Sequence, residues 1–138
     1  MASDRDTESA RYEKIIQAQE IDLGLVSIGP GKTCHIGFNE GGSALSSRVR
    51  YVEIAKETME ANARFFDDPN KVPVGAITQG VADILTAKWI IFVATGVHKA
   101  WGVRRSLQGE ISSEAPASFL RYHPNVSVVL DRLAANML

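Results

Sequence analysis

The sequence predicts a three-layer α/β fold in which a mainly parallel sheet lies between layers of helices. Near-continuous apolar runs indicate strands that are buried on both faces, as in a parallel sheet. There are three such runs, at residues 21–28, 89–94 and 126–130. Segments with helical spacing separate these runs, and strands that alternate with helices are typical of parallel sheets joined by crossovers.

Apolar spacing and turn residues predict the secondary structure of the segments between the strands. Four of them have apolar residues three and four positions apart and are predicted helices: 10–19, 53–66, 79–87 and 97–108. Thr78 is the predicted N-cap of the third helix, and Gly109 ends the fourth. Residues 48–52 alternate and predict a short strand, whereas Pro73 argues against a central strand in the segment around it.

Composition restricts the class of protein. The 138 residues suit one domain, and we expect a flexible leader over residues 1–9 before a single domain over residues 10–138. A net charge of −1 gives no sign of a nucleic-acid or membrane partner. The three histidines and one cysteine are too scattered for a structural metal site, so we expect neither metal nor cofactor. The single Cys34 and the polar first residues favour a cytoplasmic location.

A histidine and a glutamate follow the first predicted strand, where an open α/β sheet places its ligands. His35 and Glu40 lie just beyond the glycine-proline turn at residues 29–31. A carboxylate is the usual partner that orients an imidazole, so this pair indicates acid–base chemistry. A purely structural histidine is the alternative for His35 considered alone.

Arg64 and Lys99 are cations at positions where contact with water alone would stabilise them little. Arg64 lies on the apolar stripe of the predicted helix 53–66. Lys99 lies in the first turn of a predicted helix, where a cation opposes the helix dipole. A bound anion is the natural compensation at such a helix start. The alternative for Lys99 is a side chain that extends into water.

Several segments spread over residues 11–130 match the motifs of one family. They read HIGFNE, SSRVR, NARFF with DDPNKVP, AITQGVADILTAK, ATGVHKA and ASFLRYHPNVSVVLD. In these segments the chain resembles the glucosamine-6-phosphate deaminase (isomerase) family, and it corresponds to about the second half of a member. The resemblance implies a truncated sugar-phosphate isomerase domain with a Rossmann-like sheet. The family's phosphate-cradling loop and general-base aspartate belong to the first half and have no counterpart in this sequence.

The resemblance also implies an activity and a set of site residues. Family members open the ring of an aminohexose 6-phosphate, move a proton between C2 and C1, and release ammonia to leave fructose 6-phosphate. His35 matches the ring-opening histidine and Glu40 the carboxylate that works with it. Arg64 and Lys99 match the two residues that hold the substrate phosphate.

Two positions depart from the family's pattern. The family reads Pro-Asp-Gly-His or a close variant before its histidine, whereas residues 30–35 have no aspartate and a turn two residues longer. Ser43 and Arg50 match residues that bind an allosteric sugar phosphate in regulated members, but Val52 stands where those members have a lysine. The first departure affects catalysis and the second affects regulation.

Three functions remain to be compared. The first is an aminosugar-phosphate isomerase/deaminase acting on an aminohexose 6-phosphate, as a homo-oligomer or with a complementing chain, because a truncated parallel sheet leaves an unpaired edge. The second is a family-derived pseudoenzyme that binds a sugar phosphate or a family partner without turnover. The third is a phosphate-loop nucleotide binder, which the sequence nearly excludes because Val26 stands where that motif needs a glycine.

Overall fold

The computed structural model describes residues 5–29 and 32–138, so the predicted turn residues Pro30 and Gly31 lie outside the described residues. The described chain contains five strands and four α-helices. In chain order they are α1 (Arg5–Gln17), β1 (Leu23–Ser27), β2 (Arg50–Glu53), α2 (Lys56–Asn62), β3 (Gly75–Thr78), α3 (Val81–Ile84), β4 (Trp89–Ala94), α4 (Ala100–Gln108) and β5 (Val126–Leu130). Short 3-10 helices lie at Ala63–Phe65, Pro69–Lys71, Val97–Lys99 and Pro116–Tyr122.

The three strands predicted from apolar runs form one parallel sheet in the order β1-β4-β5. Leu23 pairs with Trp89 and Ile90 pairs with Val126, so the strands start almost level with one another. Their carboxyl ends therefore lie at the same edge of the sheet, where ligands bind in open α/β folds. The parallel sheet and its flanking helices confirm the predicted α/β class, and within the described chain the helices cover one face of this sheet.

The core lies on one face of this sheet, which we call the inner face. Val26 and Ile28 of the β1 segment, Phe92 of β4, Val103 of α4 and Leu120 of the last 3-10 helix are buried in one cluster. Burying an apolar side chain of this size stabilises a fold by about 1.5–3 kcal/mol. The cluster thus holds β1 and β4 against α4 and fixes the start of the segment that carries His35.

The opposite, outer face of the sheet is uncovered, so the prediction that the strands are buried on both faces is wrong. The exposed fractions are 54% for Leu23, 74% for Leu25, 53% for Trp89 and 52% for Val129. Strand pairing brings these residues onto one face, since Leu23 pairs with Trp89 in register. The strands carry apolar residues on both faces, as predicted, but no described segment covers the outer face of the sheet.

A second, two-stranded sheet stands beside the first. Strands β2 and β3 are antiparallel, with Tyr51 opposite Ile77, so the short strand predicted at residues 48–52 is present and the segment after Pro73 lies outside the central sheet, as predicted. Helix α1 begins at Arg5 rather than at residue 10, so part of the expected leader is helical. Arg48 ties these parts together, because its guanidinium contacts Glu13 of α1 at 3.0 Å and the buried Asp83 of α3 at 2.9 Å.

The helices between the strands are shorter than their apolar spacing predicts. Helix α2 ends at Asn62 and continues only as a 3-10 turn, and α3 spans a single turn. Gly80, not Thr78, is the N-cap of α3. Thr78 instead ends β3, where its hydroxyl accepts the Phe38 N–H and donates to Gln79 O. No helix within the described ranges is both long and apolar enough to cross a bilayer.

Candidate active site

The segment after β1 folds back and presents His35 beside the strand. Gly29 N–H donates to His35 O at 2.9 Å, and Ile28 forms an antiparallel bridge with Ile36. A β-carbon added to Gly29 would lie 2.0 Å from His35 Cε1, so only glycine lets the imidazole pack directly against the backbone. The imidazole is buried, at 6% exposure for the residue.

A tight turn then returns Glu40 to His35. Asn39 N–H donates to Ile36 O at 3.1 Å, and Gly37 has a φ of +58°, a conformation that glycine adopts without strain. Asn39 is fully buried, and its amide donates to Ile36 O and to Gln79 O. The turn places Glu40 Oε2 3.1 Å from His35 Nδ1, which is the predicted pairing.

Helix α2 holds the other oxygen of the same carboxylate. Thr58 Oγ1 donates to Glu40 Oε1 at 2.6 Å, and Thr58 is buried. Burial opposes ionisation of Glu40, but the hydrogen bonds with His35 and Thr58 outweigh it and lower the pKa of the carboxyl below its ordinary value. Glu40 is therefore a carboxylate at neutral pH, able to orient and stabilise an imidazolium.

Thr33 is a second neighbour of the imidazole. Its Oγ1 lies 2.8 Å from His35 Nδ1, the nitrogen that also contacts Glu40. Thr33 stands two positions before His35, where the resembled family reads aspartate. A neutral hydroxyl thus occupies the place of an acidic group next to the ring.

Sequence reasoning did not assign a role to either threonine. A signal for Thr58 existed, since it is a polar residue within the apolar stripe of the predicted helix 53–66. For Thr33 the signal was its spacing from His35. Gly29 carried no specific signal, because a glycine before a proline reads equally well as a turn residue.

The two predicted cations line the same cavity as His35. Lys99 ends the 3-10 turn before α4, and its Nζ donates to Ile28 O. Burial lowers the pKa of Lys99, and the positive charge of Arg64 lowers it further. Among the described residues no carboxylate lies within ion-pair distance of Arg64 or Lys99. Two neighbouring cations without a carboxylate partner form a site that favours an anion.

The cavity has a volume of about 890 Å³ and runs along β1. Residues of α1, α2, β3 and α3 also line it. Residues that line it near the carboxyl end of β1 are Gly29, His35, Thr58, Asn62, Arg64, His98 and Lys99. Within the described chain, no group of three or more His, Cys, Asp or Glu residues could hold a metal ion.

Ser43 and Arg50 contact each other outside this cavity. Arg50 Nη2 donates to Ser43 Oγ at 3.1 Å, and Arg50 Nη1 donates to Asn39 Oδ1 at 2.9 Å. Neither residue lines the cavity. The pair is linked to the turn before it through Asn39 Oδ1 and through the Ser43 N–H, which donates to Glu40 O at 3.0 Å, but it lies outside the cavity that His35 lines.

Comparison with known proteins gives relatives over the whole chain. The chain is 50% identical over 129 residues to a glucosamine-6-phosphate deaminase of Rhodopirellula baltica, covering 93% of this chain and 51% of the relative. A deaminase of Bacillus cereus (strain B4264) is 44% identical over 137 residues, covering 99% of this chain and 52% of the relative. This chain belongs to the glucosamine-6-phosphate deaminase family. It spans about half the length of the curated relatives that it matches.

Solved structures agree with this assignment. A monomeric glucosamine-6-phosphate deaminase matches with a TM-score of 0.94 at 40% identity, over 99% of this chain and 56% of that chain. A 6-phosphogluconolactonase from Trypanosoma brucei matches with a TM-score of 0.74 at 22% identity, over the whole of this chain and 55% of that one. The second likeness concerns the fold alone. No protein-family profile matches the chain.

Proposed function

We propose that this chain forms the ring-opening and phosphate-binding half of a glucosamine-6-phosphate deaminase site. The single observation that carries the proposal is the contact between His35 Nδ1 and Glu40 Oε2, at 3.1 Å, in the cavity that Arg64 and Lys99 also line. The reaction converts glucosamine 6-phosphate and water into fructose 6-phosphate and ammonia. The relatives that this chain matches at 44–50% identity are glucosamine-6-phosphate deaminases.

His35 is suited to the proton transfer of ring opening. Glu40 engages Nδ1, which leaves Nε2 as the nitrogen free of the carboxylate. In ring opening the bond between C1 and the ring oxygen breaks, the ring oxygen gains a proton, and the C1 hydroxyl loses one to become a carbonyl. An imidazole can accept the second proton and supply the first, and the adjacent carboxylate stabilises its charged form.

Arg64 and Lys99 are suited to the phosphate of the substrate. A phosphate takes charge-assisted hydrogen bonds from both side chains, and these are about twice as strong as neutral ones. Binding also relieves the repulsion between the two cations, which adds to the effect of burial in lowering the pKa of Lys99. The phosphate then fixes the sugar ring relative to His35, which is the positioning part of catalysis.

The later steps need groups that the described residues do not supply. Moving the C2 proton requires a base, and water must then hydrolyse the imine at C2 to release ammonia. We infer that turnover requires a complementing chain or an oligomer, in agreement with the twofold length of the relatives. A small metabolite as substrate and the absence of a spanning helix in the described chain are compatible with a cytoplasmic location.

The experiment mixes the chain with glucosamine 6-phosphate and measures ammonia and fructose 6-phosphate. It is run with the chain alone and with the half of the Rhodopirellula baltica relative that this chain does not match. We expect turnover in the mixture, lost on His35→Ala. Calorimetry with glucosamine 6-phosphate should give binding that falls roughly 10- to 100-fold in Arg64→Ala and Lys99→Ala. Arg104→Ala, which removes a cation outside the cavity, is the matched control and should bind normally.

A pseudoenzyme is the second candidate, favoured by Thr33 at the place of the family's aspartate. Its signature is binding of glucosamine 6-phosphate that depends on Arg64 and Lys99 without ammonia release in the mixture. Absence of both binding and turnover contradicts both candidates.

For Ser43 and Arg50 we propose a sugar-phosphate site separate from the cavity, on the basis of their mutual hydrogen bond. A sugar phosphate should still bind to Arg64→Ala, and this remaining binding should be lost when Arg50→Ala is added. Binding that depends only on Arg64 would contradict a second site.

A further inference from the structure

The edge of β1 that faces away from β4 is unpaired in the described part of the chain, and the proposed reaction assigns no role to it. In the sheet order β1-β4-β5, β1 pairs only with β4, and no described strand lies on its other side. The cavity runs along this free edge, and nearly every residue from 21 to 29 lines it. The edge is therefore the floor of an open groove.

The backbone orientation of β1 follows from one hydrogen bond. Trp89 N–H donates to Asp22 O, so the backbone groups of Asp22 face β4. Because alternate residues of a strand direct their backbone groups to opposite sides, those of Leu23, Leu25 and Ser27 face the groove. These residues present a row of donors and acceptors to an incoming strand.

The outer face of the sheet adds apolar surface next to this edge. Leu23 and Leu25 are the two apolar residues of β1 whose side chains face outward, and both are exposed. Parallel sheets occur almost only with both faces covered, since their strands are apolar on both sides. A partner that pairs with β1 can cover these side chains at the same time.

From these observations we infer that the free edge of β1 and the adjoining outer face bind a polypeptide that carries the complementary half of this fold. That polypeptide adds a strand parallel to β1. The inference rests on the proposed function, because the family supplies the occupant. The strands of this sheet follow one another in chain order, starting from β1 at the edge. The second half of a doubly wound sheet has the same order. In such a sheet the strand on the free side of β1 belongs to the first half, and the ligand binds in the crevice between the two halves.

A second copy of this chain fits the groove less well. Tyr12 of α1, Ile77 of β3 and Ile84 of α3 also line the groove, so β1 is recessed behind them. The β1 strand of a second copy is recessed in the same way, and two recessed edges cannot meet. The solved deaminase of matching fold is monomeric and has nearly twice the matched length. Its fold is thus complete without a second copy.

The test mixes this chain with the unmatched half of the Rhodopirellula baltica relative, coexpressed where that half does not fold alone, and measures assembly without substrate. Light scattering on a sizing column should give a one-to-one complex. Hydrogen exchange should show slowed amides at Leu23, Leu25 and Ser27. Failure to copurify, or a homodimer that protects the same amides, would overturn the inference.

Two variants of Leu25 separate the edge from the face. Leu25→Pro removes one N–H that faces the groove and spares the bonds to β4, since proline is tolerated on an edge strand. Leu25→Asp places a charge on the outer face. We expect at least tenfold weaker binding of the complementary half for each variant. Leu133→Asp, at a residue that is 56% exposed outside the sheet, is the control and should bind normally.

Circular dichroism of each isolated variant checks that it still folds. Equal binding by the Leu25 variants and the Leu133 control would contradict the assigned surface. Assembly is measured apart from turnover, so a complex that forms but releases no ammonia counts against the proposed function only.

Discussion

Thr58 Oγ1 donates a 2.6 Å hydrogen bond to Glu40 Oε1, so helix α2 clamps the carboxylate whose other oxygen contacts His35. This relationship joins residues 18 positions apart in sequence. It makes the orientation of the His35–Glu40 pair depend on the docking of α2. The same helix leads directly into the turn that carries Arg64, so one element positions both the Glu40 carboxylate and one of the two cations of the cavity.

Replacing the Thr58 hydroxyl is expected to loosen Glu40. Thr58→Val keeps the volume but removes a hydrogen bond to a charged group, which costs about 1.5–3 kcal/mol. Denaturant unfolding should report a loss of this size, and the NMR signal of His35 should shift. Thr58→Ser retains the hydroxyl and serves as the control. Equal effects of Val and Ser would indicate that packing, not the hydrogen bond, is responsible.

Glu40 is expected to make stability depend on pH. Its folded pKa is lower than the ordinary carboxyl value of 4.5, so its contribution to stability is present above that value. The contribution is lost as pH falls through the lower folded pKa. The difference in melting temperature between wild type and Glu40→Gln should therefore be larger at pH 6 than at pH 3. A difference that is independent of pH would contradict the lowered pKa.

Because its pKa is lowered, Lys99 is expected to make anion binding pH-dependent at pH values below those at which an ordinary lysine loses its charge. Burial and the charge of Arg64 lower its folded pKa below 10.5, so the cation is lost at a lower pH than in a free lysine. Affinity for glucose 6-phosphate should decline as pH rises through this lowered pKa. Lys99→Arg stays charged and should bind over the whole range. The same decline in Lys99→Arg would assign the effect to another group.

Gly29 is expected to be intolerant of any side chain. A β-carbon there would meet the imidazole of His35 at 2.0 Å, so Gly29→Ala must move the ring or the turn. Overpacking of this kind costs about 1–3 kcal/mol, and His35 should lose its contact with Glu40. Gly41→Ala is the matched control, because its nearest contact would be an ordinary 3.5 Å. Similar melting temperatures for the two variants would argue against close packing of the ring.

Thr33 allows a gain-of-function test of the pseudoenzyme alternative. Thr33→Asp places a carboxylate next to His35 Nδ1, where Thr33 Oγ1 now lies at 2.8 Å. In the mixture with the complementary half, kcat for ammonia release should rise roughly tenfold, because a second carboxylate further favours the imidazolium. Thr33→Asn has the same shape without the charge and should not raise kcat.

The apolar runs and the motifs of the sequence by themselves determine the central strands, one side-chain pair and the family of this protein. The strands 89–94 and 126–130 were predicted at the bounds they have, because continuous apolar residues between turns have few other solutions. The pairing of His35 with Glu40 followed from their closeness in sequence and is present in the structure. The family also followed from the sequence, since its motifs are local strings of residues.

Only the tertiary structure decided which surfaces are covered and which distant side chains meet. The same apolar pattern makes Phe92 buried and leaves Leu25 exposed, because burial depends on what packs against a strand and not on the strand itself. Thr78 had the chemistry of a helix cap, but strand pairing with Arg50 placed it in β3. Thr58 reaches Glu40 only because α2 docks over the turn, and contacts of this kind depend on how segments distant in sequence pack together.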